Sequence, residues 1–160
     1  MADAAAGMTA REPDLWAAAI GALAGAVLVT ALIRWVTWPR DLLLAPVTDC
    51  ALHESSCAAS WRDGRLGLAL GPQPLRCLTP LAVEVQLDGA LPGELAVDFQ
   101  SVDVPEAFHH TVLAPVGGGA YVGEAVLPLC ATGSMQWQAR VVARYGRRSV
   151  RASFPFMTRG

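Results

Sequence analysis

Three residues with chemistry to offer stand within eight positions of one another: Cys50, His53 and Cys57, spaced Cys-x-x-His-x-x-x-Cys. Thiolates and an imidazole together suit copper or zinc, the metals whose ligand preferences run to sulfur and nitrogen. The spacing matches no established zinc pattern, and a fourth ligand would have to come from elsewhere in the chain. The competing reading makes Cys50 and Cys57 disulfide partners and His53 a solvated loop residue, which an oxidising compartment favours. A second candidate is Phe108-His109-His110. Adjacent residues on a regular strand point to opposite faces, so His109 and His110 share an ion only if the segment is a loop. The candidate metal ligands are therefore Cys50, His53, Cys57, His109 and His110. Met135 at a strand start and Met157 near the terminus offer soft sulfur, but read more simply as packing and tail. Arg147 and Arg148 read as a solvated turn.

Catalytic signatures do not appear. The chain has no GxSxG, P-loop, GxGxxG, HExxH or CxxC sequence, so neither hydrolytic, phosphate-cradling nor thioredoxin-like chemistry is expected. Gly117-Gly118-Gly119 lacks a following helix and reads as a hairpin turn. We expect a non-enzymatic protein with no small-molecule substrate. The formal charge of -2 argues against a nucleic-acid partner, which would want a basic face. All twelve basic residues are arginine, and Lys and Asn are absent, a composition that fits the codon bias of a GC-rich bacterium.

The element that must position these residues begins at Leu15. Residues 15–33, LWAAAIGALAGAVLVTALI, hold nineteen uncharged positions between Asp14 and Arg34. As a helix they extend about 28 Å, enough for a hydrocarbon core of roughly 30 Å. Trp16 at one end, and Trp35 and Trp38 at the other, are placed for the two membrane–water interfaces. A buried helix of a soluble protein is the weaker reading of so long an apolar run. The stretch before it is acidic on balance and no small-residue cleavage site follows, so an uncleaved anchor is expected rather than a signal peptide.

Its orientation draws conflicting signals. Arg34 and Arg40 follow the helix and only Arg11 precedes it, which favours a cytoplasmic C-terminal side. Four cysteines (Cys50, Cys57, Cys77, Cys130) follow the helix and none precedes it. An even cysteine count in a small domain fits an oxidising compartment. The expectation is a single-pass protein of the bacterial inner membrane with its C-terminal domain in the periplasm. Four cysteines allow three pairings, and the residues alone do not choose among them.

Beyond the helix the period changes. Residues 40–65 show no clean repeat and read as a linker and Cys-containing loop. From Leu66 apolar and polar residues alternate: LGLAL, then Leu81, Val83, Val85 and Leu87 against Glu84, Gln86 and Asp88. Leu95, Val97 and Phe99 continue the pattern, followed by short runs at Thr111–Ala114 and Ala120–Leu127. Trp137, Val141 and Tyr145 oppose Gln136, Gln138, Arg140 and Arg144, and Val150, Phe154 and Phe156 face one way after the turn GRRS. Period two between turn residues is the signature of half-buried antiparallel strands. Seven such strands predict a mainly β, Ig-like antiparallel sandwich behind one transmembrane helix. The expected organisation is a mobile segment 1–14, the helix 15–38, the linker 39–65 and the sandwich 66–160. Its predicted core is Leu81, Val83, Val85, Leu87, Leu95, Val97, Phe99, Tyr121, Leu127, Trp137, Val141, Val150, Phe154 and Phe156.

Four segments carry a family likeness: LTPLAVEVQLDG (78–89), VDFQSVDV (97–104), YVGEAVLPLC (121–130) and GSMQWQARVVARYG (133–146). With the anchor ahead of them, the chain resembles the FixH-like small membrane-anchored periplasmic proteins associated with haem–copper oxidase assembly. The resemblance implies an accessory factor for a respiratory complex, linked to copper. Its partners would be membrane lipid and a membrane protein complex met through the helix 15–38 and the sandwich. Relatives carry methionine-rich residues where this chain reads QSVDVPEAFHH, leaving His109 and His110 as the available ligands there. The resemblance also implies a bridge between Cys57 and Cys130, leaving Cys50 and Cys77.

Overall fold

The computed structural model describes residues 12–38, 40–129 and 133–159; the expected mobile segment 1–14 falls mostly outside them. The chain divides into two units, residues 1–38 and 39–160, each described by itself.

The first unit is one helix, α1 (Glu12–Thr37). Pro13 lies in its first turn, where a missing N–H costs nothing. Within it, Trp16–Thr37 is long and apolar enough to cross a membrane, with a mean hydropathy of 2.2. The helix places its hydroxyls accordingly. Thr30 Oγ1 donates to the carbonyl of Ala26 (2.9 Å), and Thr37 Oγ1 to that of Ile33 (2.6 Å). A hydroxyl satisfied by its own preceding turn needs no water, which suits an apolar surrounding.

The second unit is a two-sheet β-sandwich. In chain order its strands are β1 (Arg40–Leu43), β2 (Cys57–Trp61), β3 (Gly64–Gly71), β4 (Pro80–Gly89) and β5 (Glu94–Ser101), followed by β6 (Phe108–Val112), β7 (Ala114–Gly117), β8 (Ala120–Val126), β9 (Ser134–Tyr145) and β10 (Arg148–Arg159). One sheet runs β1-β10-β9-β5-β6 and the other β2-β3-β4-β8-β7. All named pairs are antiparallel except β1 with β10. The alternation in β4, exposed and buried residues in strict turn, is the sequence period made physical. All fourteen residues expected in the core are buried, with Trp137, Phe99 and Phe154 fully so. Phe99 and Phe156 meet edge to face with ring centroids 6.2 Å apart, the arrangement aromatic quadrupoles prefer.

The sandwich begins earlier than the alternation does. Residues 40–65, expected as a linker, supply β1, β2 and the first residues of β3. β1 is only four residues long and is held from far along the chain: Asp41 accepts from Ser149 Oγ (2.6 Å) and Arg151 Nη2 (3.1 Å). The expected single strand at Thr111–Ala114 is two strands, β6 in one sheet and β7 in the other. The chain changes sheets at Leu113, whose side chain is buried and whose N–H donates to the carbonyl of Leu95 (2.8 Å). Gly123 makes room for it, since a Cβ there would sit 2.5 Å from Leu113 Cδ2.

Candidate functional site

The Cys50–Cys57 loop is positioned by β10. After β1 the chain keeps to that strand's edge, with Leu44 N–H donating to the carbonyl of Arg151 (2.9 Å) and Val47 N–H to that of Ser153 (3.0 Å). It then folds into a turn in which the N–H groups of Glu54 and Ser55 both reach the carbonyl of Ala51. Leu52 drops from this turn into the core and is fully buried. Gln73 Nε2 ties the turn down by donating to the carbonyls of Leu52 (3.4 Å) and Leu70 (3.2 Å). The alternation of β3 ends at Leu70, and a loop with two cis peptides, before Pro72 and Pro74, carries Gln73 across.

Cys50 and Cys57 form a disulfide. This corrects two expectations. A disulfide sulfur carries no thiolate charge, so Cys50 and Cys57 do not form a Cys–His–Cys metal site with His53. Nor does Cys57 bond to Cys130, as the family likeness implied, because its sulfur is already committed to Cys50. The two Cα atoms lie 5.8 Å apart, within the usual range for a bridge. Cys77 is also disulfide-bonded, and its sulfur lies 3.5 Å from the buried Thr158 hydroxyl. Cys130 lies outside the described residues.

His53 is left as the one ring of the motif with free chemistry. Its side chain is about one-third exposed, and Nε2 lies 3.8 Å from the Glu54 carboxylate. Its Nδ1 is buried and has no hydrogen-bond partner among the described residues. Two clefts meet at this ring. One, of about 540 Å³, is lined by Gln73, Leu75 and Arg159 among others; the second, of about 510 Å³, by Asp49, Gln136 and Trp137. His53 and Met157 line both. Met157, read from sequence as tail, is on β10 and 39% exposed, whereas Met135 is a core residue, fully packed. The signal that pairs His53 with Met157 is the register of β1 and the loop along β10, which no local spacing reveals.

His109 and His110 are not brought together on an ion. Both lie on β6, a regular strand: His109 pairs with Phe99, whose side chain is in the core, and His110 with Asp98 on the outer face. His110 Nδ1 lies 2.6 Å from Asp98 Oδ1, so its ring already has a carboxylate partner. The strand directs the two imidazoles to opposite sides of the sheet. Among the described residues, no group of three or more His, Cys, Asp or Glu is arranged to hold a metal ion.

The fold thus defines a β-sandwich carrying disulfides, preceded by one helix apolar enough to span a membrane. No protein-family model matches this chain, nor does any curated protein or solved structure.

Proposed function

We propose that this protein is a single-span bacterial inner-membrane protein whose sandwich stands in the periplasm as a non-enzymatic accessory or assembly factor for a respiratory complex. The observation that carries the reading is the pairing of a membrane-length helix with an oxidised domain behind it: Cys50 is bonded to Cys57, and Cys77 is disulfide-bonded as well. Disulfides persist in the periplasm and are rare in the cytosol, which outweighs the one-arginine surplus on the C-terminal side of the helix. The choice of a haem–copper oxidase as the complex rests on the FixH-like segments. Copper, if it is met, has His53 and Met157 as its neighbouring nitrogen and sulfur at the loop end; the thiolates a metal carrier would have used are committed to a bridge.

Co-purification tests this. The tagged chain, solubilised from its own membranes, should bring with it an oxidase or an oxidase-assembly protein. Recovery with no membrane-complex partner would overturn the reading. A second reading, a permanent structural subunit, is favoured by the helix surface. Ala19, Gly21, Ala24, Gly25 and Ala26 are small, and a Cβ at Gly21 or Gly25 would meet nothing within 4 Å, leaving space for another helix to approach. The two differ in stoichiometry, since a subunit stays in the mature complex and an assembly factor leaves.

A further inference from the structure

We propose that the rim of the sandwich at the start of β1 docks on an anionic phospholipid surface, seating a headgroup phosphate in the cleft between Trp61 and Arg148. The proposal rests on α1 being a membrane span, and commits this rim to lipid.

Chain connectivity comes first. Only Trp38 and Pro39 separate the last residue of α1, Thr37, from the first of β1, Arg40. Three Cα steps cover at most about 11 Å. The sheet registers then define which turns share the rim with Arg40. Arg40 pairs with Arg148 at the start of β10, Arg148 with Tyr145 at the end of β9, and Arg144 with Glu94 at the start of β5. In the other sheet Trp61 pairs with Gly64, and Gly64 with Gly89 at the end of β4. The rim therefore gathers the β2–β3, β4–β5, β7–β8 and β9–β10 turns.

Its chemistry is one-sided. Residues 62–63, 90–93, 116–119 and 146–148 hold three arginines, Arg62, Arg147 and Arg148, against one acid, Asp63. All three arginines are exposed, and among the described residues none has a carboxylate within 4 Å. Two neighbouring acids are occupied: Asp41 holds Arg151 at 3.1 Å and Glu94 holds Arg144 at 3.0 Å. Leu91 and Val116, each 61% exposed, add apolar tips to the same turns. Unpaired guanidinium groups beside apolar tips suit the headgroup region of an anionic bilayer.

Between these turns lies a cleft of about 570 Å³, lined by Trp61, Asp63, Tyr145 and Arg148 and, at its β1 edge, by Asp41, whose carboxylate accepts from Ser149 and Arg151. The Tyr145 hydroxyl is buried and has no partner among the described residues. A phosphodiester accepts from both a guanidinium and a phenol, which would satisfy that hydroxyl. Asp63, on the same wall, repels a bare phosphate and can accept from a headgroup hydroxyl, which favours a hydroxyl-bearing headgroup over a free anion.

The test uses the full chain in lipid nanodiscs, either phosphatidylcholine alone or with phosphatidylglycerol, and follows amide hydrogen exchange. Peptides covering residues 61–64 and 145–149 should exchange more slowly in the anionic discs, and salt should remove the difference. Each neutralised arginine should lower the docked-to-free ratio about fivefold, so the variant with Arg62→Gln, Arg147→Gln and Arg148→Gln should lose roughly a hundredfold and exchange as in neutral lipid. Arg76→Gln with Arg159→Gln, at the opposite end, should leave the protection intact. Flotation with neutral vesicles reports the anchor separately: a chain that does not float there refutes the span. A chain that floats but exchanges equally in both lipids refutes the docking alone. Protection seen with native membrane vesicles but not with pure anionic lipid would assign the rim to a protein and also overturn the proposal.

Discussion

Cys50 and Cys57, seven positions apart in sequence, are bonded to each other across the loop that carries His53. The bond takes away two metal ligands and closes the loop from which Leu52 drops into the core. Closing so short a loop removes about 2–3 kcal/mol of unfolded-chain entropy. Replacing both cysteines with Ser should lower unfolding stability by that amount under non-reducing conditions. Mass mapping without reduction should recover a Cys50–Cys57 peptide, with Cys77 in a separate cross-link and none between Cys57 and Cys130.

Trp137 is fully buried, yet its indole Nε1 has no hydrogen-bond partner among the described residues. Trp137→Ala should cost about 3–5 kcal/mol through lost burial and a cavity. Trp137→Phe should cost less than about 2 kcal/mol, because it removes a buried orphan donor whose desolvation itself costs about 1–3 kcal/mol. Denaturant titration of the two variants checks the difference, and equal losses would show that the N–H is satisfied in solution.

Burial pushes the Tyr145 phenol above its ordinary value of 10.0, with the neighbouring Tyr121 adding in the same direction. The folded chain therefore keeps this proton where the unfolded chain releases it. The associated stability is fully present below pH 10 and is lost as pH rises from there through the folded value. Tyr145→Phe removes a buried hydroxyl that has no partner among the described residues, so it should raise stability at neutral pH by about 1–3 kcal/mol and flatten the alkaline decline. Thermal melts across that range, wild type against variant, give the answer.

Gly118 and Gly119 are adjacent in the β7–β8 turn, both with positive φ (+60° and +79°), but they face different surroundings. At Gly118 a Cβ meets nothing within 4 Å, so Gly118→Ala should cost only the left-handed backbone penalty of about 1–2 kcal/mol. At Gly119 a Cβ would collide with the carbonyl of Leu87, whose N–H is bonded to the Gly119 carbonyl at 2.8 Å. Gly119→Ala should therefore cost at least about 3 kcal/mol, measured in the same unfolding assay.

Ala24 sits at the middle of the nineteen-residue apolar run. An arginine there should cost about 2.5–3.5 kcal/mol of insertion free energy. Alkaline carbonate extraction should leave the wild-type chain in the membrane pellet and release a large share of Ala24→Arg. Equal retention would count against α1 as the anchor.

Most of the fold was legible because burial of one face writes itself into local alternation. Leu81 to Leu87 in β4 and Leu95 to Phe99 in β5 could be assigned to the core by period alone, and all are buried. β1 could not, since four residues hold no measurable period and their partner, β10, lies more than a hundred positions away. The β6–β7 junction was hidden for a related reason. Leu113 turns inward and carries the chain into the other sheet because Gly123 on β8 leaves space for its side chain, a partner ten positions further on.

The candidate site divides the same way. Sequence by itself determined the apolar helix, the sandwich, its core and the residue types available for chemistry, because helix length and strand period are properties of neighbours along the chain. Tertiary structure alone decided that Cys50 bonds Cys57, that His109 and His110 part to opposite faces, and that His53 shares its clefts with Met157. The disulfide and the shared clefts depend on how β1 and the loop after it run along β10, and the parting of the two imidazoles on the regular pairing of β6 with β5. A sulfur or an imidazole acts on whatever lies within a few ångströms, and spacing along the chain does not measure that.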